Sequence, residues 1–463
     1  MTPRKPPNLV LILIDDLGHA DLGCTGSTFY ETPRLDALAR SGARCTHAYA
    51  ASPVCSPTRA SLMSGKHPAR LGLTHYIGAG VERGRVVGAS YVDRLVTSEC
   101  SLATALREGG YATWHVGKWH LGPPECWPEH HGFDVNVAGC SWGHPAHGHF
   151  SPWKIPNFPD TTSGEYLADR LTDEAIALVE SQARTKPGQP FFLNLWHYAV
   201  HTPVQAPAHL VARFQEKARR LGLDGVPALV EGEVMESEHC RGRRVVRRVV
   251  QSNPTYAAMI ANLDANVGRL LDTLDRLGLA DDTLVLFTSD NGGLATAEGS
   301  PTCNAPLREG KGWLEDGGLR VPLIARWPGR IRAAAAIDTP IITPDLYPTF
   351  LEAAGLPPRP QQHRDGRSVL SLLSGTGSPD RDAIYWHFPH YANQGGHPCA
   401  AVRVGPHKLI RHFHDRTETL YDLLEDPAET RDLAASMPSL REQLSSRLTR
   451  WLEDVSARLP AST

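Results

Sequence analysis

No two cysteines in this chain are spaced Cys-x-x-Cys. The nine stand apart at positions 24, 45, 55, 100, 126, 140, 240, 303 and 399. That spacing argues against zinc ribbons and dithiol redox motifs and leaves scattered thiols, read as mostly reduced. A large charge excess is also missing: 47 Lys and Arg against 50 Asp and Glu leave a net charge of −3. Neither nucleic acid nor an anionic membrane is then expected as a partner, and any basic surface must be local. No repeat of fixed period is visible, and no apolar run approaches the length of a membrane span. The run Asn8 to Ile14 is far too short, and two aspartates follow it, so it reads as a buried strand and not as the core of a signal peptide. The expectation is a soluble protein without a visible export signal, although a chain whose leader had been removed would look identical.

What is present is length and apolar content. At 463 residues and 41% hydrophobic, the chain can bury a large core, as one big domain with an appendage or as two or three small ones. Continuous apolar runs at Asn8 to Ile14, Pro190 to Trp196 and Thr283 to Thr288 have the pattern of strands buried on both faces of a parallel sheet. Tyr111 to Val116 and Ala43 to Tyr49 read as further strands. Helices are expected at Thr32 to Ala39, Ser101 to Arg107, Leu167 to Gln182 and from Asn253-Pro254 to about Leu277. Beyond Ser374 to Pro379 the pattern changes to short alternating strands, Ala383 to Phe388, Cys399 to Val404 and Lys408 to Arg411, with a helix from Pro438 to about Val455. The fold class expected is α/β, with a large, mixed, mostly parallel central sheet flanked by helices, spanning residues 1–375. A smaller C-terminal domain, 376–463, carries an antiparallel sheet and a helix.

Several chemically charged spots fall at strand ends, where open α/β folds bind ligands. Asp15 and Asp16 follow the first strand. A turn with an N-cap and a metal site fit them equally well. Lys118 and His120 follow the strand ending at Val116, and their alternation lets both side chains point one way if the backbone stays extended. His197 and His201 follow the strand ending at Trp196, and Asp290-Asn291-Gly292-Gly293 follows that ending at Thr288. The loop Pro123 to Pro159 is rich in Pro, Gly, His and Trp. Its His144, His147 and His149 lack regular zinc-ligand geometry, so it reads better as a carbohydrate-facing loop with Trp142 as a stacking surface and Ser141 or a neighbour near an anionic group of the ligand. The charged insertion Phe214 to Asn253, including Arg241 to Val250, reads as a solvated helix face. His387, His390 and His397 are candidates to border a pocket.

The stretch that organises these features is Pro53 to Gly65. It sets Cys55 just ahead of a helix start, with Pro57 in the first turn and Arg59 one turn on. Free N–H groups and the helix dipole favour an anion there. On bare physics Cys55 is an activated nucleophile beside an anionic group.

The run Cys55-Ser56-Pro57-Thr58-Arg59 resembles the core motif of type I sulfatases, whose cysteine is oxidised after synthesis to formylglycine. Gly110 to Gly122 resembles the second motif of the same family, and Gly310 to Pro322 a third segment in which Glu315 and Asp316 replace the usual Tyr-Glu. The resemblance reaches from Asn8 to about Ala434.

It implies a formylglycine sulfatase of the alkaline-phosphatase-like superfamily. The implied calcium ligands are Asp15, Asp16, Asp290, Asn291 and an oxygen of the modified Cys55, a hard all-oxygen set; three acids around one ion would suit magnesium too. One hydroxyl of the aldehyde hydrate, deprotonated with help from calcium and Asp290, attacks sulfur, and the second expels sulfate with His120 as base. Arg59, Lys118 and Lys311 neutralise charge on the sulfuryl oxygens or hold the hydrate. His201 or Lys311 protonates the leaving oxygen. Arg320 holds its loop together. The implied partners are a formylglycine-generating enzyme and a sulfate-ester substrate, read as a sulfated carbohydrate attacked from its end. Alternatives are a phosphonate or phosphate ester hydrolase on the same scaffold and a catalytically silent binder of sulfated glycans.

Overall fold

A computed structural model of the protein describes residues 5–160, 162–377 and 381–463. The Ser378 to Pro379 part of the expected junction lies outside the described residues. The first strand, β1 (Asn8–Ile14), sends Leu9, Leu11 and Leu13 to one side and Val10, Ile12 and Ile14 to the other, all fully buried. Alternation at period two thus puts each half of an unbroken apolar run into a different core. It is the axis of a nine-stranded sheet.

The remaining strands of that sheet are β2 (Ala43–Tyr49), β3 (Ala112–Gly117), β4 (Val135–Val137), β5 (Phe191–His197), β6 (Thr283–Ser289), β7 (Arg320–Arg326), β8 (Ala335–Ile337) and β9 (Ile341–Ile342). Their order is β8-β2-β7-β6-β1-β5-β3-β4, with β9 also on β2. Parallel pairing runs from β6 through β1, β5 and β3 to β4, whereas β7 is antiparallel to both its neighbours. The mixed, mostly parallel sheet expected from the sequence is present.

Helices cover both faces. On the side of Val10 lie α1 (Pro33–Ser41) and, further along the chain, the segments Leu167–Thr185, Ala208–Arg220 and Pro254–Arg276. On the side of Leu9 lie α2 (Cys55–Ser64), Leu102–Glu108 and Leu346–Ala353. The helix at Pro254 begins where expected because Asn253 Oδ1 accepts from the backbone N–H groups of Thr255 and Tyr256. Thr32 does not cap α1 in this way; its hydroxyl is engaged by Asp36 and by the backbone of Gly23.

The C-terminal sheet has four antiparallel strands, β10 (Ala383–Phe388), β11 (Cys399–Val404), β12 (His407–His412) and β13 (Thr417–Asp422). The last was not anticipated as a strand. One face carries Ala400, Val402, Leu409 and Leu420 against Leu444, Leu448 and Leu452 of the helix Pro438–Asp454. The other turns Trp386, Phe388, Ala401 and Ile410 onto Tyr49, Val54, Leu314 and Leu319 of the larger unit. Among the described residues no helix is long and apolar enough to cross a membrane.

The insertion departs from expectation. The segment read as a helix face contains a hairpin of Leu229–Val234 with Arg244–Arg248, after the helix Ala208–Arg220. Alternation explains it: Val245 goes into a small core with Met235, Cys240 and Trp313. Arg247, two residues on, pairs with Glu233 and Glu309 and lies 5.7 Å from the Trp313 ring.

Candidate active site

The register of the central sheet brings the strand ends together before any side chain is considered. Ile14 stands beside His197 on one side and Ser289 on the other, and Gly117 beside Trp196. Asp15, Lys118, Tyr198 and Asp290 therefore leave the sheet along one edge. Asp16 has φ +63° and His120 φ +57°, the left-handed region that few side-chain-bearing residues adopt. Strict alternation would send Asp15 and Asp16 to opposite faces; this turn lets their carboxylates converge, with His201, to within 4.8 Å. Ser289 fixes the edge: its hydroxyl donates toward the carbonyls of Ile14 and Asn291 and accepts from the Leu17 N–H.

Cys55 opens α2, whose ten residues are all buried. Gly65 ends the helix at φ +67°, and a Cβ there would come within 2.4 Å of the His363 Cβ. Arg59, one turn on from Cys55, reaches across the sheet edge: its Nε donates to Asp290 Oδ2 at 2.8 Å, Nη1 to the Lys118 carbonyl at 3.1 Å, and Nη2 lies 3.6 Å from Asp15 Oδ1. The guanidinium also stacks 5.0 Å from the Trp196 ring. Lys118 Nζ donates to both oxygens of Asp15, at 2.8 and 2.7 Å. Lys311 Nζ donates to Asp16 Oδ2 at 2.8 Å and to His201 Nε2 at 3.0 Å. Asn291 Nδ2 donates to Asp16 Oδ1 at 2.9 Å. All ten residues singled out from the sequence as catalytic or metal-binding thus fall in one contiguous buried cluster.

Two histidine tautomers follow from their partners. His120 Nε2 lies 2.9 Å from the Ile77 carbonyl, which can only accept, so Nε2 carries the proton and Nδ1 offers a lone pair. That Nδ1 is 3.4 Å from Cys55 Sγ. His201 Nδ1 likewise donates to the Thr202 carbonyl at 2.8 Å, leaving Nε2 to receive the Lys311 proton. Burial, with Lys118 for His120 and Lys311 for His201, holds both imidazoles well below their ordinary pKa and therefore neutral.

The carboxylates are split. Burial pushes Asp15 up to about 8 against the pull of Lys118, with Asp290 and Asp16 adding repulsion. Burial also works to raise Asp16, but Lys311, His201 and Lys118 overcome it and hold Asp16 below the ordinary range. Burial raises the Cys55 thiol, with Lys118 and Lys311 pulling the other way. Loss of solvent thus works against ionising an unmodified Cys55 thiol, which the helix start and the two lysines favour.

Other expectations resolve individually. Ser141 Oγ accepts from the Trp127 indole at 3.1 Å, and Trp142 lies 5.9 Å from the His147 ring. From the same loop, Gly143 abuts the His120 ring so closely that a Cβ would come within 2.5 Å of Cε1, and His144 stacks 6.0 Å from His201. Arg320, the first residue of β7, donates to the Thr46 carbonyl of the neighbouring β2, and so ties its segment to the sheet. His197 is buried against no hydrogen-bonding partner. His387 and His390 do not border the site: they are packed inside, against the Arg458 carbonyl and the Thr74 hydroxyl. Asp316, where the third motif departs from its usual residues, is buried and accepts from the Tyr49 hydroxyl and Lys408 Nζ. Sequence reasoning missed Ile77, Ser289, Glu298 and Gln394. Ile77 and Ser289 act through a backbone carbonyl and a small hydroxyl, which leave no compositional signal.

The parallel strand-end edge, the helix-start cysteine and the buried acid and lysine pairs are the arrangement of a hydrolytic α/β enzyme of the alkaline-phosphatase-like superfamily, and the comparisons agree. A family model described as "Sulfatase" matches residues 7–356, and one described as "N-sulphoglucosamine sulphohydrolase, C-terminal" matches 310–457. The chain is 32% identical over 453 residues to arylsulfatase A of Homo sapiens, covering 95% of this chain and 82% of that protein. It is 31% identical over 432 residues to N-acetylgalactosamine-6-sulfatase of Homo sapiens, covering 88% and 72%. The crystal structure of Ps i-CgsB in complex with k-i-k-neocarrahexaose superposes with a TM-score of 0.76 at 28% identity, covering 96% of this chain and 93% of that one. The chain belongs to the sulfatase family and is a sulfuric ester hydrolase.

Proposed function

We propose that this enzyme releases sulfate from the terminal residue of a sulfated carbohydrate, using formylglycine made from Cys55 by a sulfatase-maturing enzyme and a calcium ion at Asp15, Asp16, Asp290 and Asn291. The observation that carries the reading is the setting of Cys55. Its side chain starts a buried helix and faces the unprotonated Nδ1 of His120, with Lys118 and Lys311 near enough to bias its ionisation.

The donor set fits a hard cation. Asn291 Oδ1 is buried without a hydrogen-bond partner, and the Asp15 and Asp16 carboxylates converge with His201. Asp15, raised by burial and by repulsion from Asp290 and Asp16, expresses a crowding that a divalent cation relieves. Magnesium suits the same acids. When bound, the cation supplies charge neutralisation, and formylglycine supplies the oxygen nucleophile that replaces a thiol.

The chain's own residues then have separable tasks. Arg59 holds Asp290 and the sheet edge in place through its three contacts. Lys118 and Lys311 meet charge that grows on sulfuryl oxygens. His120 Nδ1 is the proton acceptor beside position 55. For the leaving oxygen the proton is held at Lys311 Nζ, because His201 Nε2 is itself an acceptor in that hydrogen bond.

A closed rim supports attack at a chain end. Tyr76 meets Asn393, the adjacent Gln394 meets Glu298, and Glu298 meets Thr202 beside His201. His201 stacks on His144, whose neighbour Gly143 abuts His120, and His120 returns to Ile77. A site ringed by such contacts favours a terminal sugar over a chain interior. The carbohydrate class is supported by similarity to N-acetylgalactosamine-6-sulfatase and to a structure solved with neocarrahexaose. A catalytic domain of 1–375 and a smaller unit of 376–463 remain the proposed division.

Desulfation of defined mono- and oligosaccharides, sulfated at terminal or internal residues, tests this beside an aryl sulfate and a phosphonate ester. Turnover should be confined to terminal sulfated sugars and, more weakly, the aryl sulfate. Turnover of the aryl sulfate with none on any sugar rejects the carbohydrate assignment, and faster internal cleavage rejects exo action.

A further inference from the structure

Away from the catalytic edge, three metal-ligating side chains meet at the rim of the C-terminal sheet. Cys399 opens β11 and His412 closes β12, and the two are direct cross-strand partners. Cys399 Sγ lies 3.3 Å from His412 Nδ1, and His397 Nε2, from the loop before β11, lies 2.9 Å from the same Nδ1. All three donor atoms fall within 4.8 Å of one another. Ligand atoms about 2.0–2.3 Å from a tetrahedral zinc stand roughly 3.3–3.6 Å apart, so small shifts would open this cluster to one ion.

The surroundings favour a metal over a merely packed histidine group. His412 Nε2 meets the Thr419 hydroxyl at 3.1 Å, which orients the ring and leaves Nδ1 facing the cluster. The His414 ring lies 4.0 Å from that of His397, and its Nδ1 is buried with no hydrogen-bond partner. On its far side, His414 Nε2 faces Asp415 Oδ2 at 3.5 Å and Glu236 Oε2 at 3.8 Å.

We propose that His397, Cys399 and His412 form a second metal site, for zinc, with His414 beside the fourth position. Binding converts the Cys399 thiol to a thiolate, its proton going to solvent, and nothing is oxidised. The site is structural. His397 packs edge-on at 5.8 Å against Trp313, two residues from Lys311, and Gly396 sits so close to the Gly312 carbonyl that a Cβ would come within 1.8 Å. An ion here would tie the C-terminal sheet to the loop that backs the Lys311 segment.

The test uses full-length protein carrying Cys55→Ser, which removes the thiol nearest the catalytic carboxylates, with excess calcium present to hold the oxygen-rich site. After chelation and dialysis, Co2+ should produce a thiolate-to-metal charge-transfer band with the intense visible bands of tetrahedral cobalt. Zinc should displace it at one ion per chain and raise the melting temperature. Adding Cys399→Ser should abolish the band and the zinc-dependent rise. His397→Gln, in the partly exposed loop, should weaken zinc binding at least about tenfold. Absence of the band in the Cys55→Ser protein overturns the proposal, as does a band that survives Cys399→Ser. Should that variant fail to fold, unchanged zinc affinity in His397→Gln overturns it instead.

Discussion

Cys55 and His120 face each other at 3.4 Å, yet neither is charged: burial raises the thiol and lowers the imidazole. A chemistry that needs a thiolate would be badly served here, whereas a modified side chain beside a neutral base is well served. Cys55→Ala removes one small, 4% exposed side chain from a helix start, so turnover should vanish while the melting transition stays within about 1 kcal/mol of the parent. Activity of that variant on any sulfate ester would sink the formylglycine mechanism. Asp290 has a different burden. Its Oδ2 answers Arg59 and its Oδ1 the Asp16 N–H. Asp290→Ala should therefore cost both bound calcium and activity, and it leaves a buried guanidinium short of a partner; unchanged metal content by elemental analysis would show the site to be misassigned. His201→Asn keeps a side chain beside Thr202 but removes the acceptor for Lys311. If Lys311 carries the leaving-group proton, this variant should retain measurable turnover whereas Lys311→Gln should lose it by about 10²-fold or more. The reverse ranking of kcat would make His201 the acid.

The segment from Gly310 to Leu319 is held from behind by the C-terminal sheet. Lys408 of β12, wholly buried, donates to Asp316 Oδ1 and to Glu429 Oε1, each at 2.9 Å, and Glu429 Oε2 accepts from the Asp316 N–H. Removing the cation leaves Asp316 and Glu429 without their shared donor in a dry interior, a loss of about 3–5 kcal/mol for a broken buried pair. Lys408→Met should therefore lower stability by that order in urea unfolding and also lower activity, because Lys311 lies on the segment that loosens. Loss of stability with full activity in the folded fraction would mean that the sheet is only an appendage. The same triad accounts for Glu315-Asp316 in the third motif: Asp316 is chosen by Lys408 and Tyr49, which lie far away in sequence.

Acid sensitivity belongs to the molecule as a whole. Burial brings His67, His131, His149, His197 and His387 down from 6.5 to about 4. Between those values the unfolded chain binds more protons than the folded one, so each of these histidines makes stability fall as pH drops from about 6.5 to 4. Asp21 and Asp264 work the other way, since burial raises them to about 6 and the folded state gains stability as they protonate. Glu429, raised to about 8, opposes in the same sense. Buried histidines are the more numerous, so urea midpoints should decline from pH 7 to pH 5. His387→Gln, which can keep the hydrogen bond to the Arg458 carbonyl, should flatten part of that decline; a midpoint that rises on acidification would contradict the sign.

How much was legible from residues alone divides along a physical line. Apolar runs such as Asn8 to Ile14 and Thr283 to Thr288 can be satisfied only by burial on both faces, so a parallel sheet with charged strand ends could be read directly, and with it the neighbourhood of Asp15, Lys118, His201 and Asp290. Local capping signals did the same for the helix that Asn253 begins. Local pattern could not decide the state of Arg241 to Val250, because Val245 is buried by Met235 and Trp313 and its partner strand lies across a turn. Nor could it tell which histidines reach the site, since His387 and His390 differ from His120 only in what folds over them. Charge state was the furthest out of reach. The Cys55 thiol, the split between Asp15 and Asp16 and the tautomers of His120 and His201 are set by desolvation and by carbonyls such as Ile77 and Thr202, and those exist around the site only once the chain has closed on itself.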